Sequence, residues 1–331
     1  MRRTAAPSWL VVFFAACGAP DVAGPDWTEP ATPTTAPRRS PPRLQVDGAA
    51  LRDASGNEVR LRGLNVCSLE FDNAGANWQL DTTDGGSVLL DALADPAKWN
   101  ANVVRMPVNQ EWFVTDDAYV TRVEQLIDAA ALRGLYVLLD VQWENAERTD
   151  PYYLNILKHP TFGFGNTTEA FWHRASGRFS NRDNLLFDII NEPHDVKPEE
   201  LARGMQKMLD RLAQRAPETP VVVSGPDWAH SVDFFRLHPL RGRNVVYSAH
   251  QYLPYDPPEK FQGNFEQAAQ SLPVLIGEFG PEDAGYTNEL IDRAEASGVD
   301  GWLGWAIGCG VAVDDFTTSA MAVRMRELNA P

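Results

Sequence analysis

Eight short strand-like runs recur along the chain, at residues 60–65, 102–106, 136–141, 185–190, 221–224, 245–250, 274–278 and 301–306. A run such as Leu185-Leu186-Phe187-Asp188-Ile189-Ile190 is too apolar to keep one face in water. It reads as a strand buried on both sides, the kind found in parallel sheets and barrels. Between these runs the period turns helical. Val120, Val123, Ile127 and Ala130 repeat at helix spacing, and Gly134 then reads as a stop. Residues 197–215 open with Pro198, Glu199 and Glu200, a proline at an allowed first-turn position and acids beside the positive end of a helix. Residues 288–297 likewise end at Gly298. Strand and helix alternating in this way predict a parallel sheet with helical crossovers, and eight strands close it into a (β/α)8 TIM barrel. Ahead of it, residues 44–46 and 51–52 turn at Asp47-Gly48 into a small hairpin, expected to plug the bottom of the barrel.

The first 43 residues follow other rules. Arg2 and Arg3, an apolar stretch at 9–14, then Ala15, Ala16 and Cys17 make the pattern of an export signal over residues 1–17. Phe14-Ala15-Ala16-Cys17 resembles a bacterial lipoprotein cleavage box, in which the cysteine becomes the lipidated first residue. Phe14 stands where Leu is usual, so ordinary secretion stays open as the alternative. The apolar stretch is far too short to span a bilayer, and membrane contact is expected only through a lipid on Cys17. Residues 18–43 are rich in Pro, Thr and Ala with no periodicity, which reads as an extended, semi-rigid tether. Residues 44–331 are then a single domain, expected to act as a monomer.

With 331 residues and 44% hydrophobic content the chain can build a sizeable core. Its net charge of -16 argues against a nucleic-acid partner, which needs clustered Lys and Arg, and favours a neutral substrate. There is no CxxC pair and no His/Cys/Asp cluster at ligand spacing, nor a phosphate-binding glycine loop or serine nucleophile elbow. Neither a metal nor a cofactor is expected. Cys67 and Cys309 follow the first and last strands, neighbours in a closed barrel. A disulfide there would fasten the closure, and two buried thiols are the alternative.

The chemistry gathers where strands end. Asn191, Glu192 and Pro193 close the fourth run, and Glu278 closes the seventh. In a β/α barrel the carboxyl ends of the strands form the active face, so these two glutamates face one another across its mouth. Such a pair is what a retaining glycoside hydrolase needs: one carboxylic acid to protonate the leaving oxygen and one carboxylate to attack the sugar carbon. Arg105 ends the second strand, Gln142 and Trp143 follow the third, His250 and Tyr252 the sixth, and Trp305 the eighth. Of the loop tryptophans Trp78, Trp112, Trp143 and Trp228, indole faces suited to stacking on sugar rings are expected at Trp112 and Trp143, with Trp305 the firmest candidate.

Over residues 44–331 the chain resembles glycoside hydrolase family 5, the cellulases and mannanases. The resemblance rests on Arg105-Met106-Pro107, Asn191-Glu192-Pro193, His250-Gln251-Tyr252, Gly277-Glu278-Phe279-Gly280 and Gly304-Trp305. It implies Glu192 as acid/base and Glu278 as nucleophile, their carboxyls roughly 5 Å apart. It also implies Arg105 and Tyr252 keeping Glu278 ionised, Asn191 on the sugar 2-hydroxyl, His250 supporting the acid/base and Trp305 under the ring. Gln142 departs from the family, which commonly carries a His there. The substrate so implied is a β-linked glucan, or next a mannan. A barrel that binds glycans without cleaving them, or a transglycosylase using the same residues, are the rivals.

Overall fold

The structure, a computed structural model, describes residues 25–72, 86–143, 166–281 and 283–330. Cys17 and the rest of the expected export signal lie outside the described residues, as do Trp78, the Trp143 side chain and most of the loops at 68–87 and 143–168.

A hairpin of β1 (Gln45–Asp47) and β2 (Ala50–Arg52) precedes eight parallel strands: β3 (Leu61–Val66), β4 (Val103–Asn109), β5 (Tyr136–Trp143), β6 (Leu185–Asp188), β7 (Val221–Ser224), β8 (Val245–Gln251), β9 (Val274–Phe279) and β10 (Gly301–Ile307). They close as a barrel in chain order, with β10 returning to β3. This is the (β/α)8 architecture expected, with strand ends within a few residues of expectation. The helix at Ala284–Ser297 begins four residues before the expected start, because the Asp283 side chain accepts from Tyr286 N at 2.8 Å and caps it. Gly134 and Gly298 both follow helices with positive φ, 78° and 83°, the left-handed stop that glycine adopts without a Cβ clash.

Each barrel strand is apolar on two sides for two reasons. Alternate residues, among them Leu64, Val104, Val137 and Phe187, face the surrounding helices in the larger core. The others, Leu61, Val103, Leu138, Leu186, Val222, Val246, Leu275 and Leu303, fill the barrel interior, and Leu44 and Leu51 of the hairpin close its lower end against them. Buried backbone donors at that seam are satisfied: Leu51 N donates to Asp300 at 2.6 Å and Val46 N to Asn244 at 2.9 Å. Two residues further along the strands the interior turns polar, with Asn65, Arg105, Asp140, Asp188 and Ser248 all buried. The floor of the mouth is therefore charged.

Cys67 and Cys309 are joined by a disulfide with Cα atoms 5.6 Å apart, across the seam where β10 meets β3. Among the described residues no helix is long and apolar enough to cross a membrane.

The tether expected over 18–43 is corrected for its described part. Residues 25–43 run along the barrel wall. Trp27 is buried beneath the helices Asn166–Phe179 and Pro198–Arg215, with its indole N–H directed at Glu169 (3.3 Å) and the Arg211 guanidinium 5.5 Å from its ring. Arg182 donates to the carbonyls of Thr34 and Thr35, and Tyr136 OH to that of Pro42. Proline-rich composition removed the periodic signal of packing, but one aromatic anchor and a row of backbone carbonyls suffice to dock an extended strap. Trp27→Ala is expected to lower the unfolding free energy by about 3 kcal/mol in a urea titration. A loss below about 0.5 kcal/mol would show the strap to be separate from the folding unit.

Candidate active site

The mouth of the barrel holds a cavity of about 680 Å³ lined by Gln142, Glu192, Trp228, His230, Tyr252, Leu253, Tyr255, Glu278 and Trp305. Five of these were expected from the sequence. Arg105, Asn191 and His250 stand directly behind that lining and are buried. Trp112 does not reach it: the half-buried indole packs edge-on against Tyr119, ring centres 5.8 Å apart, as part of the core.

Glu278 owes its position to a bulge. β8 and β9 pair regularly up to Ala249 with Ile276 and resume at His250 with Glu278, leaving Gly277 as the extra residue. The bulge turns the next side chain into the mouth. It also requires a glycine, since a Cβ on residue 277 would come within 2.3 Å of Ser248 Oγ and 3.0 Å of His250 Nε2. Asn65 holds the bulge from below, donating to the carbonyl of Gly277 at 3.0 Å. Glu192 is reached differently. β6 stops at Asp188, and the chain leaves the strand with Glu192 in the left-handed region at φ 39°. For a residue with a Cβ this conformation costs roughly 1–2 kcal/mol. Strain of that kind is common where a side chain must be aimed.

The two carboxyls meet across His250. Its Nδ1 lies 2.9 Å from Glu192 Oε1 and 3.6 Å from Glu278 Oε2. One ligand atom from each of the three residues falls within 4.8 Å of the others. A cation could in principle use such a group. Here Arg105 and the Tyr252 hydroxyl already donate to the two oxygens of Glu278, at 2.5 and 2.8 Å, and the guanidinium charge opposes a second cation. The donor set suits proton chemistry better.

Arg105 is the centre of charge. Its Nε donates to Asp188 at 2.9 Å, Nη1 to Glu278 and Asn65, and Nη2 to Asn191 Oδ1 at 2.9 Å, with Asp140 3.0 Å away. Burial works against the charge, but the three carboxylates outweigh it and hold the guanidinium protonated far above its ordinary range. Burial also pushes Asp140 and Asp188 up, against the pull of Arg105. Asp140 and Asp188 were not singled out from the sequence: each sits inside an apolar strand run, and only the period-two placement beside Arg105 could have pointed to them.

The environments of Glu192 and Glu278 differ in kind. Burial pushes the Glu192 carboxyl up to about 7, with Arg105, His230 and His194 opposing. Burial raises Glu278 too, yet it receives an N–H of Arg105 and the O–H of Tyr252, donors that favour the carboxylate. His250, stripped of hydration, is held neutral with its pKa lowered to about 4. Burial thus raises both carboxyls, and of the two Glu278 has the guanidinium and the phenol donating to its oxygens. Asn191, with Oδ1 fixed on Arg105, keeps Nδ2 as a donor.

The sequence reading named Trp228 among the loop tryptophans without giving it a role, and did not single out His230 or Asp256. Asp256 is buried and accepts from Tyr252 N (3.1 Å) and Asn264 Nδ2 (2.9 Å), and His230 Nδ1 lies 2.8 Å from it. All three fall in loops without period, and the Pro-flanked Asp256 reads as turn chemistry.

The chain matches the family model for cellulase (glycosyl hydrolase family 5) over residues 52–310. It is 27% identical over 316 residues to endoglucanase E-5 of Thermobifida fusca, covering 89% of this chain and 60% of that protein. It is 26% identical over 304 residues to endoglucanase MaCel5A of a Microbulbifer species, covering 84% and 52%. The chain thus spans a little over half the length of these curated relatives. Among solved structures, a β-glucanase of Saccharophagus degradans in complex with cellotetraose superposes with a TM-score of 0.74 at 18% identity, covering 92% of this chain and all of that one. The catalytic domain of a Thermobifida fusca endoglucanase, also with cellotetraose, gives 0.68 at 22%, covering 87% and 97%. At those identities the superpositions establish the fold.

Infrared difference titration of the wild type against Glu192→Gln is expected to isolate one protonated carboxyl band that disappears around pH 7. Disappearance in the ordinary glutamate range, near pH 4.5, would remove the basis for assigning Glu192 the proton.

Proposed function

Because the chain belongs to glycosyl hydrolase family 5, the cellulase family, we propose that it hydrolyses internal bonds of a β-linked glucan by double displacement with retention. The observation that carries this is the unlike pair at the barrel mouth: Glu192 holding a proton and Glu278 hydrogen-bonded as a carboxylate, within reach of each other across His250. The curated relatives are named endoglucanases, which favours a glucan over a mannan.

In the first step Glu278 attacks the anomeric carbon while Glu192 gives its proton to the departing glycosidic oxygen. The carbon–oxygen bond breaks and a glycosyl ester forms. Water then enters, Glu192 takes its proton, and the hydroxide releases Glu278. Charge that builds on the sugar ring is met by Glu278, and Trp305 forms the surface beneath the ring. The short approach supports retention: with ligand atoms inside 4.8 Å there is no room for the water that inversion places between carboxyls, which takes roughly 6.5–9.5 Å.

Export is part of the same proposal. The residues at 1–17 have the order of an export signal, and the Cys67–Cys309 disulfide fits an oxidising compartment. Labelled palmitate is expected to enter the full-length chain and not Cys17→Ser, whereas equal labelling of both would remove the lipid anchor.

The full-length chain is expected to release reducing sugar from soluble β-glucans in preference to mannans and xylans, with the β-anomer formed first by proton NMR. kcat/KM is expected to fall as pH rises through about 7, because the acid form of Glu192 is the one that reacts. Glu278→Ala is expected to lose about a thousandfold or more. Full turnover by that variant would remove it as nucleophile, and an α-anomer as first product would replace retention by inversion.

A further inference from the structure

The cavity has a side that the two glutamates do not use. Around the barrel β7 lies between β6, which leads to Glu192, and β8, which leads to Tyr252. Glu278 and Trp305 stand on β9 and β10, beyond β8. The loop after β7 brings Trp228 and His230 into the cavity beside Glu192. An acid delivers its proton to the oxygen of the departing group, so the leaving sugar lies against Glu192 on the side away from Glu278.

This loop is built with unusual effort. Asp227, Trp228 and Ala229 are consecutive residues in the left-handed region, φ 56°, 60° and 58°. Each costs roughly 1–2 kcal/mol for a residue with a Cβ, and such a run persists only where its surroundings over-determine it. They do so here. Trp228 N donates to Pro193 O (3.2 Å), His250 N to Ala229 O (2.8 Å) and Gln251 Nε2 to His230 O (2.9 Å). The Trp228 indole lies flat on His194, ring centres 3.7 Å apart and planes 4° apart, and the residue remains 44% exposed at the cavity. His230 Nδ1 is fixed 2.8 Å from the buried Asp256 carboxylate, which also holds the backbone of Tyr252. No protein partner of His230 Nε2 is present among the described residues.

We propose that His230, clamped by Asp256, is a specificity-determining residue of the leaving-group subsite, its Nε2 bonding a hydroxyl of the departing sugar over the face of Trp228. The inference rests on the hydrolase reading above and extends it to which half of the substrate this loop recognises. The chemistry fits a sugar in particular. With Nδ1 committed to Asp256, Nε2 accepts a hydrogen bond when the ring is neutral and donates one when it is charged, and a hydroxyl can answer either. An apolar face beside a fixed polar atom is the usual grammar of a sugar subsite. Asp256 does two tasks at once: through Tyr252 N it fixes the residue that holds the nucleophile, and through His230 it fixes the contact to the group that leaves.

The test compares two substrates of the full-length chain, cellotetraose and an aryl β-cellobioside whose leaving group carries no hydroxyl and needs little protonation. His230→Ala is expected to lower kcat/KM for cellotetraose about tenfold more than it lowers kcat/KM for the aryl substrate, the effect of losing a partly buried hydrogen bond, with both read across the pH profile so that any change in the proton affinity of Glu192, common to the two substrates, cancels. His230→Gln, which can place an amide near the position of Nε2, is expected to recover part of the cellotetraose rate. Equal losses on both substrates in both variants would make His230 a structural residue and overturn the proposal, as would no loss on either. A wild type inactive on both substrates would overturn the hydrolase reading itself and this inference with it.

Discussion

A single buried cation organises the mouth of this barrel. Arg105 reaches from β4 to side chains contributed by β3, β5, β9 and the β6 strand with its exit, and all of its contacts lie out of water. A buried guanidinium is tolerable only if paired, and truncating one partner of such a group typically costs about 3–5 kcal/mol. The pairing here is generous: three carboxylates share one positive charge. Full ionisation of the cluster would leave two negative charges in a low-dielectric interior, which burial forbids. Asp140 and Asp188 therefore hold protons more tightly than ordinary aspartates. The same guanidinium also donates to Glu278, at 2.5 Å.

That distribution explains how two glutamates a few ångströms apart come to behave differently. The divergence lies in donors. Glu278 has a guanidinium and a phenol on its oxygens, whereas Glu192 has the neutral ring of His250 and sits partly open to the cavity. A neutral neighbour neither repels a proton nor compensates a carboxylate, so burial is the largest influence on Glu192, with Arg105, His230 and His194 opposing it. Pairs of titratable groups whose surroundings push them apart mark acid and base roles.

Much of this was readable from the residues in order. The eight strands announced themselves because a barrel strand is apolar on both sides, and the two glutamates because they interrupt such runs where the active face must lie. What escaped reading followed from the same physics. Asp140 and Asp188 look like blemishes in strands, and their meaning depends on Arg105 of β4 reaching across to both. His230 and Asp256 belong to loops, where side-chain direction is set by local hydrogen bonds that no periodicity encodes. Trp27 was hidden by composition: Pro and Thr around it signal a free tether, while one buried indole decides that the strap docks.

Gln142 can now be weighed physically. It lines the cavity, and its Oε1 is buried with no hydrogen-bond partner among the described residues. Such an acceptor is costly to leave empty and is suited to a hydroxyl donor from substrate. Its neutrality matters as well. The groups that set the proton on Glu192 are its own burial, Arg105, His230, His194 and Asp256, none of them on β5. A histidine at residue 142 would add a titrating group to the cavity. Glutamine at this place therefore gives the cavity a hydrogen-bonding group that carries no titrating charge.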